Sequence, residues 1–255
     1  MKKDKKETHG GASECRVGSI YFLTLGACTT GFPHKISGTF PGLSLSMFTC
    51  SAVKALITVR INSLNMRTIA IISSSVRSGR KSHRVALYFS NYLEENKIAK
   101  ADIIDLQEYN FPLFDERLRL QEEPSPGALE FAERIRSAAG VIIVVPEYNG
   151  GYPASLKNVV DLLYDEWRRK PVAISTVSDG PFGGTQVITS IQFSLWKTGA
   201  WTVPAMFPVP RVSESFDEQG RPSDRPAADK RAARFINELL WCIEAAELMA
   251  ARTSD

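Results

Sequence analysis

A chain of 255 residues, 44% of them hydrophobic, is long enough for one domain with a sizeable core. Three of the four cysteines lie in residues 1–65, so no disulfide framework is expected in the rest of the chain, and nothing approaches the roughly 18 to 20 consecutive apolar residues of a membrane helix, so the chain reads as soluble. The formal charge of +3 excludes little by itself, because it is unevenly spread.

Residues 1–65 hold eight Lys or Arg against three Asp or Glu, a charge of +5, which leaves −2 for the remainder. The basic surplus therefore lies outside the part that patterns as a fold and gives no reason to expect a nucleic-acid partner. The same segment holds Cys15, Cys28 and Cys50. Its apolar patch, 20–28, is short and late for a signal peptide, and Gly, Ser, Thr and Pro recur through 26–46 without periodicity. Residues 1–65 are expected to be disordered or foreign to the domain, which occupies 66–255. The one cysteine of that body, Cys242, suits a reducing cytoplasm and reads as a small buried hydrophobe.

From Met66 onward strand and helix patterns alternate. Residues 68–72 predict a buried strand, followed by a polar loop over 73–82 and a helix with Val85, Phe89, Tyr92 and Leu93 on one side. A second strand is expected over 102–106, a loop over 107–123, and a helix opened by Ser125-Pro126 that runs to about 138. Five β-branched residues, 141–145, predict a strand covered on both faces, stopped by Pro146. Pro153 opens the next helix, where Leu156, Val159, Val160 and Leu163 share one face and Arg168, Arg169 and Lys170 close the C-terminal end. A fourth strand over 171–177 leads to a helix over 185–198 with Val187, Ile191 and Leu195 aligned and Gly199 ending it. The fifth strand, 202–209, contains Pro204 and Pro208 and belongs at a sheet edge, and a last helix spans about 226–250. Such alternation implies right-handed crossovers and a parallel sheet with helices on both sides.

Two connections carry chemistry. The loop Glu147-Tyr148-Asn149-Gly150-Gly151 lies at the carboxyl end of a strand, where open α/β sheets bind ligands, and offers a ring, an amide and two glycines to a flat heteroaromatic group. The loop 73–82 crowds serines and cations against a helix N-terminus, which favours a phosphate that Arg77 can bind further. No G-x-G-x-x-G is present, which argues for a mononucleotide. On the residues alone, the first loop also reads as a well-made β-to-α turn and the second as a solvated linker.

Together the two loops resemble the NADPH-dependent FMN reductase family, flavodoxin-like reductases with a G-S-x-R phosphate loop and a P-E-Y-N flavin loop. Pro146-Glu147-Tyr148-Asn149, followed by Tyr152-Pro153-Ala154-Ser155-Leu156-Lys157-Asn158, is similar to the second motif. Ser75 and Arg77 match the first, with Ser74 where the family has glycine, a departure that predicts a wider loop or a strained Ser74. The loop Ser178-Asp179-Gly180-Pro181-Phe182-Gly183-Gly184 resembles a third, which touches the ring. The resemblance implies an α/β flavodoxin-like three-layer sandwich with five parallel strands in the order 2-1-3-4-5. It implies FMN, with its phosphate on Ser75, Arg77 and Ser82, Arg80 as a helper, and its ring against Pro146, Glu147, Tyr148, Asn149 and Gly150. Ser178, Gly180 and Gly183 complete the site, and the Gly183-Gly184 backbone is expected to approach the ring closely. NADPH or NADH would donate hydride in a ping-pong cycle ending on a flavin, quinone, azo or similar small acceptor, with no side chain as acid or base. The family also implies a homodimer or homotetramer in the cytoplasm and places Phe111-Pro112-Leu113-Phe114-Asp115-Glu116 near the second substrate or a subunit contact.

The competing class is a flavodoxin-like electron carrier without pyridine-nucleotide activity. Carriers are strongly acidic and sandwich flavin between large aromatics, whereas this body is only −2 and its loop carries glycines. A fold member that has lost its flavin is a third reading, to which Ser74 lends support. Trp196, Trp201 and Trp241 read as core or interface rather than stacking partners. His83 reads as a surface residue at a helix start, and no Cys/His spacing resembles a metal site.

Overall fold

The computed structural model describes residues 66–252 and two three-residue strands nearer the N-terminus. The chain divides into two compact units, Met1–Thr58 and Val59–Asp255. In the first, Cys15–Val17 and Ile20–Phe22 pair antiparallel. Everything else expected of 1–65 lies outside the described residues.

The second unit contains β1 (Thr68–Ser73), α1 (His83–Glu95), β2 (Lys100–Asp105), the short α2 (Leu106–Tyr109), α3 (Pro126–Ser137) and β3 (Gly140–Pro146). It continues through α4 (Ala154–Leu162), β4 (Pro171–Val177), α5 (Val187–Lys197), β5 (Trp201–Met206), the short α6 (Val212–Ser215) and α7 (Arg225–Arg252). The five strands form one parallel sheet in the order β2-β1-β3-β4-β5, the flavodoxin-like order expected.

Side-chain alternation splits the core into two layers. Ile69 and Ile71 of β1 and Ile142 and Val144 of β3 face one side, where α1 and α7 contribute Val85, Phe89, Phe235, Ile236 and Leu239. Ala70, Ile72, Val141, Ile143 and Val145 face the other, against Phe131 and Ile135 of α3, the Leu156 face of α4 and the Val187 face of α5. A strand apolar at every position is what this double cover requires, and burying each such side chain stabilises the fold by about 1.5–3 kcal/mol. Gly140 lies tight against α7, since a Cβ there would sit 2.7 Å from Ile243 Cδ1.

Several boundaries differ from the sequence reading for local reasons. β2 ends at Asp105, one residue early, because the Asp105 carboxylate accepts from Gln107 N and caps the turn of α2. Helix α4 stops at Leu162, and a 3₁₀ turn at Asp165–Trp167 separates it from Arg168, Arg169 and Lys170, so these cations do not close α4. Lys170 instead donates to the carbonyls of Arg136 and Ala138 at the C-terminus of α3. Strand β5 is one of the two sheet edges, with exposed Pro204 inside it, and has a register irregularity between Val172 and Ile174 of its partner β4. Trp196 (66%) and Trp241 (63%) are largely exposed and Trp201 (37%) partly so, so the core reading fails for all three; the buried indole is Trp167.

Candidate cofactor site

Because β1 and β3 are neighbours, the loops that follow them emerge side by side at the carboxyl edge, with the loop after β4 next to them. Direct contacts tie the three together. The Ser75 hydroxyl and the Tyr148 phenol lie 2.6 Å apart, joining the first loop to the second. Glu147 accepts from the N–H of Gln186 at the start of α5, joining the second to the third. Lys81 donates to Asp179 at 3.0 Å and to Ser213, joining the third to the first.

In the first loop several carbonyls are engaged and most of the N–H groups are not. Ser155 Oγ donates to Ser74 O, Arg80 Nη1 donates to Ser75 O, and Arg80 N donates to Arg77 O. Among the described residues, the N–H groups of Val76, Ser78, Gly79, Lys81 and Ser82 make no hydrogen bond to a protein acceptor. Ser82 stands at the N-cap of α1, 3% exposed, and its hydroxyl is buried without a partner. A buried hydroxyl left unpaired costs about 1–3 kcal/mol. Arg77 is exposed and makes no ion pair with a described residue. Free N–H groups at a helix start, an orphaned hydroxyl and an unpaired guanidinium fit a phosphate.

Ser74, where strain or a wider loop was expected, is neither strained nor loose. It is fully buried, has no positive φ, and gives both its N–H and its hydroxyl to Val144 O of β3. The Ser74 side chain thus pins the loop to the sheet.

The second loop is a tight hairpin turn. Tyr148 and Gly151 exchange both backbone hydrogen bonds, and the two central residues have positive φ, 52° at Asn149 and 80° at Gly150. Positive φ at both central positions is the type I′ pattern that Asn-Gly favours. Pro146 and Tyr148 are half-buried beside it, and Tyr152 reaches Ser194 of α5 at 2.7 Å.

In the third loop, Ser178 Oγ donates to Gly180 O, which also accepts from Arg211 N, while Thr176 Oγ1 donates to Gly183 O. The glycines answer to the protein itself. A Cβ on Gly184 would lie 2.9 Å from Val177 O, and one on Gly183 3.1 Å from Pro208 Cβ and Pro210 N, both at positive φ.

Beneath the first loop lies a charged group that sequence reasoning left out. Both oxygens of Asp105 accept from Arg80, and the His83 ring nitrogen Nδ1 lies 3.0 Å from Ser73 Oγ and 3.5 Å from Asp105. Burial alone would raise the Asp105 carboxyl, but hydrogen bonds from Arg80 and Gln107 N hold it below the usual carboxylate range. Burial pushes His83 below its ordinary value, and Asp105 only partly opposes this. Arg80 is thus engaged inward, and His83 is half-buried rather than on the surface. Asn158 was quoted only as part of a motif; its amide donates to Pro112 O and accepts from Phe114 N, bracing the 111–116 loop over an open cavity of about 390 Å³. A carboxylate at the end of a strand on the ligand edge was the available signal for Asp105; nothing in spacing marked Asn158.

Residues 67–214 match the model of the NADPH-dependent FMN reductase family, more than half of the chain. The chain belongs to that family. The reductase is 34% identical over 137 residues to the NAD(P)H-dependent FMN reductase LOT6 of Saccharomyces cerevisiae, which covers 49% of this chain and 71% of the yeast protein. It is 44% identical over 82 residues to a quinone reductase of Escherichia coli, covering 30% of this chain and 43% of that protein. Among solved structures, the flavoenzyme FerB, an NAD(P)H:(acceptor) oxidoreductase from Paracoccus denitrificans, superimposes with a TM-score of 0.57 at 20% identity, over 70% of this chain and 98% of that one. The last likeness shows the fold; the yeast relative's name accords with an oxidoreductase that uses FMN and NAD(P)H, and the E. coli relative's with a reductase.

Proposed function

We propose that the reductase holds FMN across the carboxyl edge of its sheet and draws hydride from NADPH or NADH for a small-molecule acceptor. The observation that carries this reading is the orphaned, buried Ser82 hydroxyl among unpaired N–H groups at the start of α1. Bound there, FMN would supply all the redox chemistry, accepting hydride and passing electrons on. Ser75, Arg77 and Ser82 hold the phosphate. Pro146, Tyr148, Asn149 and Gly150 present the turn against the ring, and Ser178, Gly180 and Gly183 form the adjoining wall. Glu147, by accepting from Gln186 N, fixes the ring turn against the start of α5.

A quinone is the preferred acceptor, on the strength of the E. coli relative's name, with free flavin next. A homodimer or homotetramer belongs to the same reading, supported by the exposed Phe193–Trp196 pair on α5, whose rings lie 5.9 Å apart. So does a cytoplasmic location, since NAD(P)H chemistry and the free thiol of Cys242 suit a reducing compartment. Among the described residues no helix is long and apolar enough to cross a membrane. The test is to purify the protein, record a flavin spectrum and add NADPH or NADH without oxygen. Rapid bleaching supports the reading, and bound flavin that stays yellow contradicts it.

A further inference from the structure

A phosphate loop works only if its peptide N–H groups face the ligand, which forces the matching carbonyls to face away and find donors inside the protein. In this loop the carbonyl of Ser75 is the critical one, because the Ser75 hydroxyl also meets Tyr148. Its donor is Arg80 Nη1, at 2.9 Å. The Arg80 guanidinium spans from that carbonyl to both oxygens of Asp105, which lies at the end of β2, the strand paired with β1. The pair is sheltered, with side chains 13% and 6% exposed. Asp105 is itself held by Gln107 N at 3.0 Å, with His83 Nδ1 3.5 Å away, and that same nitrogen lies 3.0 Å from the hydroxyl of Ser73, the last residue of β1.

Resting on the flavin reading above, we propose that Arg80 and Asp105 are positioning residues that set the phosphate loop from behind, and that Arg80 is not a phosphate ligand. Arg77 and Arg80 then have opposite duties three residues apart. Arg77 supplies charge to the phosphate; Arg80 spends its charge on Asp105 and its geometry on the Ser75 carbonyl. A lysine could keep the charge but not the two-pronged span from carboxylate to carbonyl.

The two roles for Arg80 make opposite predictions for Asp105→Asn. If Arg80 were a phosphate ligand held back by Asp105, removing the carboxylate charge would free it and tighten FMN binding. As a buttress, it loses its anchor and FMN binding weakens. The experiment titrates flavin-stripped wild-type, Arg80→Lys and Asp105→Asn proteins with FMN and with riboflavin, which lacks the phosphate. Separately, the backbone amides of 75–82 are followed by NMR as inorganic phosphate is added.

The expected result is a loss of tenfold or more in FMN affinity in both variants, riboflavin affinity within twofold of wild type, and a weakened amide response to phosphate. Should Asp105→Asn fail to fold, Asp105→Ser takes its place, since it removes the same carboxylate and carries the same opposite predictions. FMN binding by either variant as tight as wild type, or tighter in Asp105→Asn, overturns the proposal. If wild type takes up neither flavin but its loop amides respond to phosphate and the variants' do not, the cofactor reading falls and the buttress stands. No amide response in wild type sinks both.

Discussion

Ser75 and Tyr148 meet hydroxyl to hydroxyl at 2.6 Å, the shortest statement of how two loops far apart in sequence become one site. Neutral hydrogen bonds of this kind contribute about 1 kcal/mol net, so Ser75→Ala and Tyr148→Phe should each destabilise slightly. The double variant should cost less than the sum, with a coupling of about 0.5–1 kcal/mol in urea unfolding; strict additivity would mean that the contact is not made in solution. Asp105 acts through charge. Its folded pKa is depressed, so the stability it contributes is present above its unfolded value of about 4 and lost as pH falls through the folded value. His83, also depressed, adds a contribution that is present above about pH 6.5 and fades on acidification. Asp105→Asn should therefore flatten the acid limb of the stability profile below about pH 4, while the His83 part of the decline persists and grows, because the carboxylate no longer opposes its depression. A profile unchanged below pH 4 would show Asp105 to be unpaired.

At the scale of elements, the glycines after β4 decide whether the third loop can form. Gly184 has φ of 71°, and a Cβ would press on Val177 O at 2.9 Å. Gly184→Ala should destabilise by about 1–3 kcal/mol from backbone strain alone and lower the urea midpoint. An unchanged midpoint would mean the turn relaxes freely. The strand and helix sequence was readable because each element announces itself locally: uniform β-branching in β3, the Leu156–Val159–Val160 face in α4, and Ser125 capping α3. In the candidate site, too, only the local parts were legible. The Asn-Gly turn and the serine-arginine loop follow from local conformational preference, whereas the bonds that join them depend on which strands become neighbours. Hence the inward engagement of Arg80 and the partial burial of His83 were not legible: Asp105, which lies beside both, is 25 residues from Arg80 on another strand. Of the two readings of Trp196, Trp201 and Trp241, core and interface, the core one failed for a related reason, since hydrophobicity marks a side chain for burial without saying which surface buries it.

At the scale of the molecule, the second unit carries both core layers and all three loops. A chain beginning at Met66 should fold cooperatively and bind FMN with the affinity of the full chain. A truncated protein that unfolds or loses the flavin would show that earlier residues complete the domain. The account as a whole stands on the convergence of the 73–82 and 146–150 loops on one FMN, and one measurement addresses it most directly. Flavin-stripped wild type is titrated with FMN beside Arg77→Ala combined with Asn149→Ala, with circular dichroism to show that both are folded. The account predicts stoichiometric FMN binding by wild type and a loss of tenfold or more in affinity for the double variant. Equal affinity in the two proteins, or folded wild type that takes up no FMN, would contradict it.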